Sequence, residues 1–168
     1  QERSCLRDNA IEVVDFSMEH PLNLPSPHAG YFVSNTDYGK IRSTPGISFQ
    51  NKLSTAIRLI YNAEARRKLN ELVKKERPDI AHLHNIYHQI SPSIIGVLKK
   101  NNIKTVMTLH DSKLLCPTYL MINRNNGLCD RCKGGRFYNV AINRCMDRSI
   151  AHSSVLSMEA YLHRWLRS

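Results

Sequence analysis

The segment RPDIAHLHNIYHQISPSIIGVLKKNNIKTVMTLHD, residues 77–111, decides the fold because it alternates between strand-like and helix-like patterns. DIAHLH, residues 79–84, is a short apolar run that predicts a buried strand, and IKTVMTLH, residues 103–110, predicts a second one. The intervening SPSIIGVLKKNN, residues 91–102, has the pattern of a helix. Two strands joined through a helix indicate a parallel sheet with helices on its faces.

The flanking sequence extends this alternation in both directions. AIEVVDF, Ala10 to Phe16, predicts a strand, and a proline-rich loop follows it. From Phe49 to Glu76 apolar residues recur at three- and four-residue steps, which predicts one long or broken amphipathic helix that Pro78 ends. Ser91 is the expected N-cap of the central helix. SSVLSMEAYLHRWLRS, residues 153–168, predicts a final helix.

Length and composition favour one soluble α/β domain over residues 1–168. The chain is 42% hydrophobic, and no apolar run approaches the roughly 20 residues that a membrane span requires. Its first residues lack the apolar core of a secretory signal. The formal net charge of +10 suits phosphate-bearing ligands, nucleic acid or an anionic membrane surface without choosing among them. Much of this charge falls in helix-like stretches, where it is typical of a solvated face.

Polar side chains follow both strands of the central segment. His82 and His84 end the first strand, and Asn85, Tyr87 and His88 come directly after it. The next strand ends in His110 and Asp111, with Lys113 shortly beyond. Because ligands bind outside the carboxyl ends of parallel strands, these residues are candidate ligand contacts at one rim of the sheet.

Other roles are open to the same residues. Three histidines could hold zinc, but a site formed by His82, His84 and His88 has no carboxylate nearby in sequence to orient it, so we disfavour it. A polar strand end with satisfied hydrogen bonds is the simpler alternative. Asp111 could merely cap the turn that follows, and Lys113 could be an ordinary solvated lysine.

The cysteines form a separate pattern. Four of the five have the spacing C-x12-C-x2-C-x12-C in a loop over residues 116–145, as Cys116, Cys129, Cys132 and Cys145. Four thiolates around a central C-x2-C can bind a tetrahedral structural zinc that orders a loop lacking regular structure. Buried unliganded thiols, or two disulfides under oxidising conditions, are the alternatives.

Four stretches together resemble the amino-terminal domain of family 4 glycosyltransferases, which are retaining enzymes with two facing Rossmann-like domains. They are RPDIAHLHNIYHQISPSI, TVMTLHDSKLLCP, CDRCKGGRFYNV and the later RC. The resemblance covers roughly Val13 to Leu162 and implies a Rossmann-like parallel sheet with helices on both faces. It also implies transfer of a sugar from a nucleotide-sugar donor to an acceptor hydroxyl with retention, as in hexosyltransferases, with no metal cofactor for catalysis.

The chain departs from the family pattern in two places. Family members begin with a strand and a glycine-rich loop that meets the donor phosphates, and neither precedes the strand predicted at Ala10 to Phe16. The chain also stops after YLHRWLRS, residues 161–168, ahead of the second domain that holds most donor contacts in the family. The resemblance therefore implies a partial domain, the acceptor-side half of an enzyme, which we do not expect to catalyse transfer alone.

The resemblance assigns the main chemical role to His110, with Asp111 beside it, and acceptor contact to His84, Asn85, Tyr87 and His88. The implied partners are a nucleotide sugar and a glycan or lipid-linked acceptor, in surface polysaccharide synthesis in the cytoplasm. Basic helices at 51–75 and 154–167 could touch anionic lipid, but a surface helix packed on the sheet explains the same pattern and is the preferred interpretation. The competing hypothesis is a zinc-stabilised basic binding module for nucleic acid or a protein partner, although aromatic residues interleaved on a basic strand are not evident.

Overall fold

The computed structural model describes residues 2–35, 61–87, 90–123 and 125–165. The chain divides into two compact units, Gln1–Met107 and Thr108–Ser168, hereafter unit 1 and unit 2, each with its own hydrophobic core. The described residues form five α-helices and a small two-stranded parallel sheet, which confirms a mixed α/β fold. None of the helices in these ranges combines the length and hydropathy of a membrane span.

The strand–helix–strand order predicted for the central segment is confirmed, and further helices flank it. The helices and strands are α1 (Glu2–Asp8), α2 (Ala63–Glu76), β1 (Ile80–His84), α3 (Ile94–Lys100), β2 (Lys104–Thr108), α4 (Tyr138–Ile142) and α5 (Ile150–Trp165). Short 3-10 helices occur at Ala29–Tyr31 and Lys133–Gly135. The helix predicted from Phe49 is confirmed from Ala63 onward, and its part before residue 61 lies outside the described residues.

Helix α2 supplies much of the core of unit 1. The side chain of Asn62 caps it by accepting a hydrogen bond from the Ala65 backbone N–H at 3.0 Å. Its apolar face is buried through Ala65, Leu69, Leu72 and Val73. The helix ends at Glu76, and its C-cap residue Arg77 adopts the left-handed conformation (φ 50°) directly before Pro78. That ending agrees with the prediction, because the residue before a proline disfavours helical geometry.

The two strands are much more exposed than their apolar sequences predict. In β1 only Leu83 is buried, and Ile80 is 56% exposed. In β2 no residue is buried, and Val106 is 49% exposed. Within the described residues the sheet contains just these two strands, so their outer faces and edges lack neighbouring strands to cover them.

The strand predicted at Ala10 to Phe16 is wrong. This stretch has no regular structure and follows α1, which was not predicted. One of its backbone groups bonds to a side chain instead: the N–H of Asp15 donates to Nδ1 of His28 at 3.3 Å. Apolar residues favour an extended conformation, but a strand also needs a neighbour to accept its hydrogen bonds. The nearest approach to one is a single parallel bridge between Met18 and Val33.

The N-cap predicted for the central helix is also wrong. Helix α3 begins at Ile94 with Ser93 in the cap position, and Ser91 lies in the left-handed region (φ 65°), which differs from N-cap geometry. The buried hydroxyl of Ser91 accepts hydrogen bonds from the backbone N–H groups of Ser93 at 3.2 Å and Asn62 at 3.3 Å. Ser91 therefore connects the start of α2 to the turn before α3.

Unit 2 is built around α5, which packs against α4. Its small core contains Cys132, Phe137 and Val140. The predicted final helix is confirmed, but its buried residues are polar: Ser153, Ser157, Glu159 and His163. Several larger apolar side chains of α5 are exposed, with Met158 at 55% and Trp165 at 71%, while Leu156 packs against the core.

Candidate functional site

His82 and His84 lie side by side at the carboxyl end of β1. Residues two apart on a strand project to the same face, and the two imidazole ring centroids are 4.2 Å apart. Both rings contact the carboxylate of Glu2 from α1. The Oε1–Nδ1 distance to His82 is 2.6 Å, and the Oε2–Nε2 distance to His84 is 3.1 Å.

Asn85 and Tyr87 follow this strand end in different environments. Asn85 is exposed and has a positive φ of 45°, which asparagine tolerates in a turn. Tyr87 is 7% exposed, and its hydroxyl donates to Sδ of Met107 at 3.5 Å. Tyr87 is therefore mainly a core residue that offers little surface to a ligand. His88 lies outside the described residues.

His110 and Asp111 belong to unit 2, in the exposed loop that follows β2. Oδ1 of Asp111 accepts a hydrogen bond from the backbone N–H of Lys113 at 2.8 Å. This is the local turn contact that the alternative interpretation of Asp111 expects. His110 is exposed beside it, so its imidazole is accessible from solvent.

Lys113 is buried inside unit 2, in contrast to a solvated lysine. Its ammonium donates to the Pro117 carbonyl at 3.0 Å and lies 3.4 Å from Oε2 of Glu159. His163, one turn further along α5, has Nδ1 at 3.8 Å from Oε1 of the same carboxylate. With these partners, Lys113 is not oriented toward a phosphate in solution. The i,i+4 spacing of Glu159 and His163 is the sequence signal for this cluster.

The four loop cysteines all lie in unit 2 and are free thiols. Cys116 and Cys132 are buried, Cys129 is partly buried and Cys145 is exposed. Burial, as the largest cause, and the nearby thiols of Cys116, Cys145 and Cys129 together raise the pKa of Cys132 to about 11, while Arg136 opposes them. All four are thus near enough to interact electrostatically. Sγ of Cys116 also lies 3.1 Å from the Thr118 hydroxyl.

Among the described residues, Glu2, His82 and His84 form the group whose metal-ligating atoms all lie within 4.8 Å of one another. The four cysteines are not drawn together that closely. Sequence reasoning found the two histidines but missed Glu2, because nothing in the sequence connects the first helix with β1. The sequence around the histidines predicts no carboxylate that orients them, and the structure supplies one from Glu2, about 80 residues earlier in the chain.

We compared the chain with known proteins. The chain matches no protein-family model, no curated protein and no solved structure.

Proposed function

We propose that this chain is the acceptor-side half of a retaining glycosyltransferase, which moves a sugar from a nucleotide-sugar donor to a glycan or lipid-linked acceptor. The main support is the parallel strand–helix–strand unit of β1, α3 and β2, with polar residues following each strand. Ligands of open parallel sheets bind outside such strand ends. The sequence resemblance supports the finer proposal of a Rossmann-like sheet with helices on both faces.

His110 is the proposed catalytic residue. It is exposed in the loop after β2, so a ligand in solution can approach it. Histidine can donate a hydrogen bond to a sugar hydroxyl, or offset phosphate charge as the bond to the leaving nucleotide breaks. Asp111 is the proposed positioning residue, because its contact with the Lys113 N–H fixes the turn that carries His110.

Acceptor binding is proposed for the end of β1. Asn85 is exposed and carries both a donor and an acceptor for sugar hydroxyls. His84 is adjacent but is already in contact with Glu2. The burial of Tyr87 and Lys113 leaves both outside the proposed contact surface. The proposed setting is surface polysaccharide synthesis at the cytoplasmic face of a membrane.

A structural zinc on Cys116, Cys129, Cys132 and Cys145 is a separate proposal. It is supported by their electrostatic proximity and by the C-x2-C at the centre of the set. Binding would require the thiols to lose their protons and the loop to contract around the ion. Cobalt substitution tests it, because thiolate ligands produce sulfur-to-cobalt charge-transfer absorption. Absence of that absorption, with less than about half an equivalent of thiolate-bound metal, would refute the site.

The glycosyltransferase proposal is tested on the complete gene product that contains this chain. Release of nucleoside diphosphate is measured over a panel of nucleotide sugars and glycan or lipid-linked acceptors. We expect His110→Ala to reduce turnover by about 100-fold or more, with an unchanged circular dichroism spectrum. The matched control is His152→Ala, which removes an exposed histidine of unit 2 from a surface pair with Asp147.

Two outcomes would contradict the proposal. Wild-type turnover in His110→Ala would remove the catalytic assignment. Failure to turn over any donor, combined with salt-dependent binding of RNA, would instead favour a zinc-stabilised basic binding module, for which the net charge of +10 and the cysteine loop are the supporting features.

A further inference from the structure

The contact between α1 and β1 brings three metal-ligating side chains together. One carboxylate, that of Glu2, meets two imidazoles, with Oε1 at 2.6 Å from Nδ1 of His82 and Oε2 at 3.1 Å from Nε2 of His84. The side chains of Glu2, His82 and His84 are 50%, 38% and 35% exposed, respectively. A cation can therefore reach the cluster from solvent without opening the core.

The donor set suits a borderline divalent transition metal. Zinc binds imidazole nitrogen and carboxylate oxygen at about 2.0–2.2 Å, so two ligands of one tetrahedral ion lie roughly 3.3 Å apart. The observed contacts from Glu2 are slightly shorter than that, and all the ligand atoms fall within 4.8 Å of one another. Small rotations of these half-exposed side chains would open the required space. Hard cations such as Mg²⁺ prefer sites composed of oxygen ligands, which two imidazoles disfavour.

The backbone already orients two of the three ligands. His82 and His84 project from one face of β1, with their ring centroids 4.2 Å apart. Leu83 between them is buried in the core of unit 1, which fixes the strand beneath the two rings. A preformed pair of this kind reduces the ordering that metal binding would otherwise require.

Helix α1 has few other attachments to the rest of unit 1. Along this fully described helix no residue is buried. Arg3 holds it through a hydrogen bond to the Pro25 carbonyl at 3.2 Å and an ion pair with Asp15 at 3.4 Å. An ion held by Glu2 and the two histidines would add a strong link between α1 and β1.

We propose that Glu2, His82 and His84 form a zinc site that clips α1 to β1, with solvent completing the coordination of the ion. Three protein ligands with an open position is the composition of sites that exchange a bound water. The proposal does not rest on the glycosyltransferase assignment, because it uses no donor or acceptor, but it assigns His84 to an ion and not to an acceptor. It is also distinct from the cysteine loop, which lies in unit 2.

The test is a zinc titration of the full chain, monitored by NMR through the ring nitrogen resonances of its histidines. We expect the resonances of His82 and His84 to shift together and to saturate with one equivalent of zinc. Affinity is measured in parallel against a chromophoric chelator, and cobalt spectra separate nitrogen and oxygen ligation from thiolate ligation. Glu2→Gln, His82→Ala and His84→Ala should each weaken this binding event by at least about ten-fold.

The control is His152→Ala, since His152 and Asp147 form a pair of one imidazole and one carboxylate at 3.1 Å. It should leave the affinity of the site unchanged. Glu2→Gln guards against a folding artefact, because it alters an exposed side chain and keeps its size. Unmoved His82 and His84 resonances at saturating zinc, or wild-type affinity in these variants, would overturn the proposal and leave the cluster as an ordinary ion pair.

Discussion

Lys113 and Glu159 form an ion pair in which each side chain is only 5% exposed, with Nζ and Oε2 3.4 Å apart. They lie on different segments of unit 2, and the pair joins the loop after β2 to α5. Removing two charges from water is costly, and the attraction between the ammonium and the carboxylate offsets that cost. Each buried charge therefore requires the other to remain in place.

Breaking this pair should destabilise unit 2. Lys113→Met leaves the carboxylate of Glu159 buried without its ammonium, and we expect a loss of about 3–5 kcal/mol of unfolding free energy. Urea denaturation followed by circular dichroism, with hydrogen exchange of the α5 amides, measures it.

The double variant Lys113→Met/Glu159→Leu should recover most of the loss. Arg67→Ala is the control: its pair with Glu71 is 62% and 49% exposed and should contribute at most about 1 kcal/mol. A Lys113→Met loss as small as that of Arg67→Ala would contradict the prediction.

Unit 1 should lose stability in acid through Glu64. Partial burial alone would raise the pKa of Glu64, but hydrogen bonds from Ser34 and Lys68 outweigh it and lower the pKa from 4.5 to about 2. The Ser34 hydroxyl and N–H donate at 2.5 and 3.0 Å. Because the folded pKa lies below the unfolded one, this stability is complete above about pH 4.5 and is lost as the pH falls toward 2. Because Glu64 is partly exposed and solvent screens its contacts, we expect a loss of about 2 kcal/mol, less than the full shift would give, measured by urea midpoints across this range.

The same acid dependence should be weaker in Ser34→Ala. Removing the hydroxyl takes away one donor to the Glu64 carboxylate, so the folded pKa should move back toward its ordinary value. Ser112→Ala, which alters a serine in unit 2, serves as a control for a general effect of serine removal. An acid loss in Ser34→Ala equal to that of the wild-type chain would show that Ser34 does not set this pKa.

Asn62 should stabilise α2 as its N-cap. Asn62→Ala removes the side-chain oxygen that accepts from the Ala65 N–H at 3.0 Å, and we expect a cost of about 1 kcal/mol. Asn62→Asp retains an acceptor and adds a favourable negative charge at the helix start, so it should stay close to wild type. Thermal unfolding and hydrogen exchange of the first turn of α2 measure both variants. Equal stability of the alanine and aspartate variants would argue against the cap.

The core of unit 1 should be sensitive at α3. Leu98 is 1% exposed, and Leu98→Ala should cost about 2–5 kcal/mol through lost burial and a residual cavity. Leu22 is 84% exposed, so Leu22→Ala should change stability by no more than about 0.5 kcal/mol. Urea denaturation of both variants makes the comparison. Similar costs for the two leucines would mean that α3 does not pack in the core.

Local sequence patterns accounted for the elements that depend on near neighbours. The apolar runs around Leu83 and Met107 became β1 and β2, and Pro78 marked the end of α2. The pattern failed at Ala10 to Phe16, because a strand depends on a pairing partner that the segment itself does not contain. The exposure of β1 and β2 could not be predicted for the same reason, because the residues that bury a strand come from other parts of the chain.

By itself, the sequence determined the strand–helix–strand unit and the presence of polar residues after both strands. It did so because periodicity and proline act over a few residues. Only the tertiary structure brought Glu2 to His82 and His84, and only it buried Lys113 against Glu159. The chemistry of a charged side chain depends on its partners and its solvation. Both are set by contacts between residues distant in sequence.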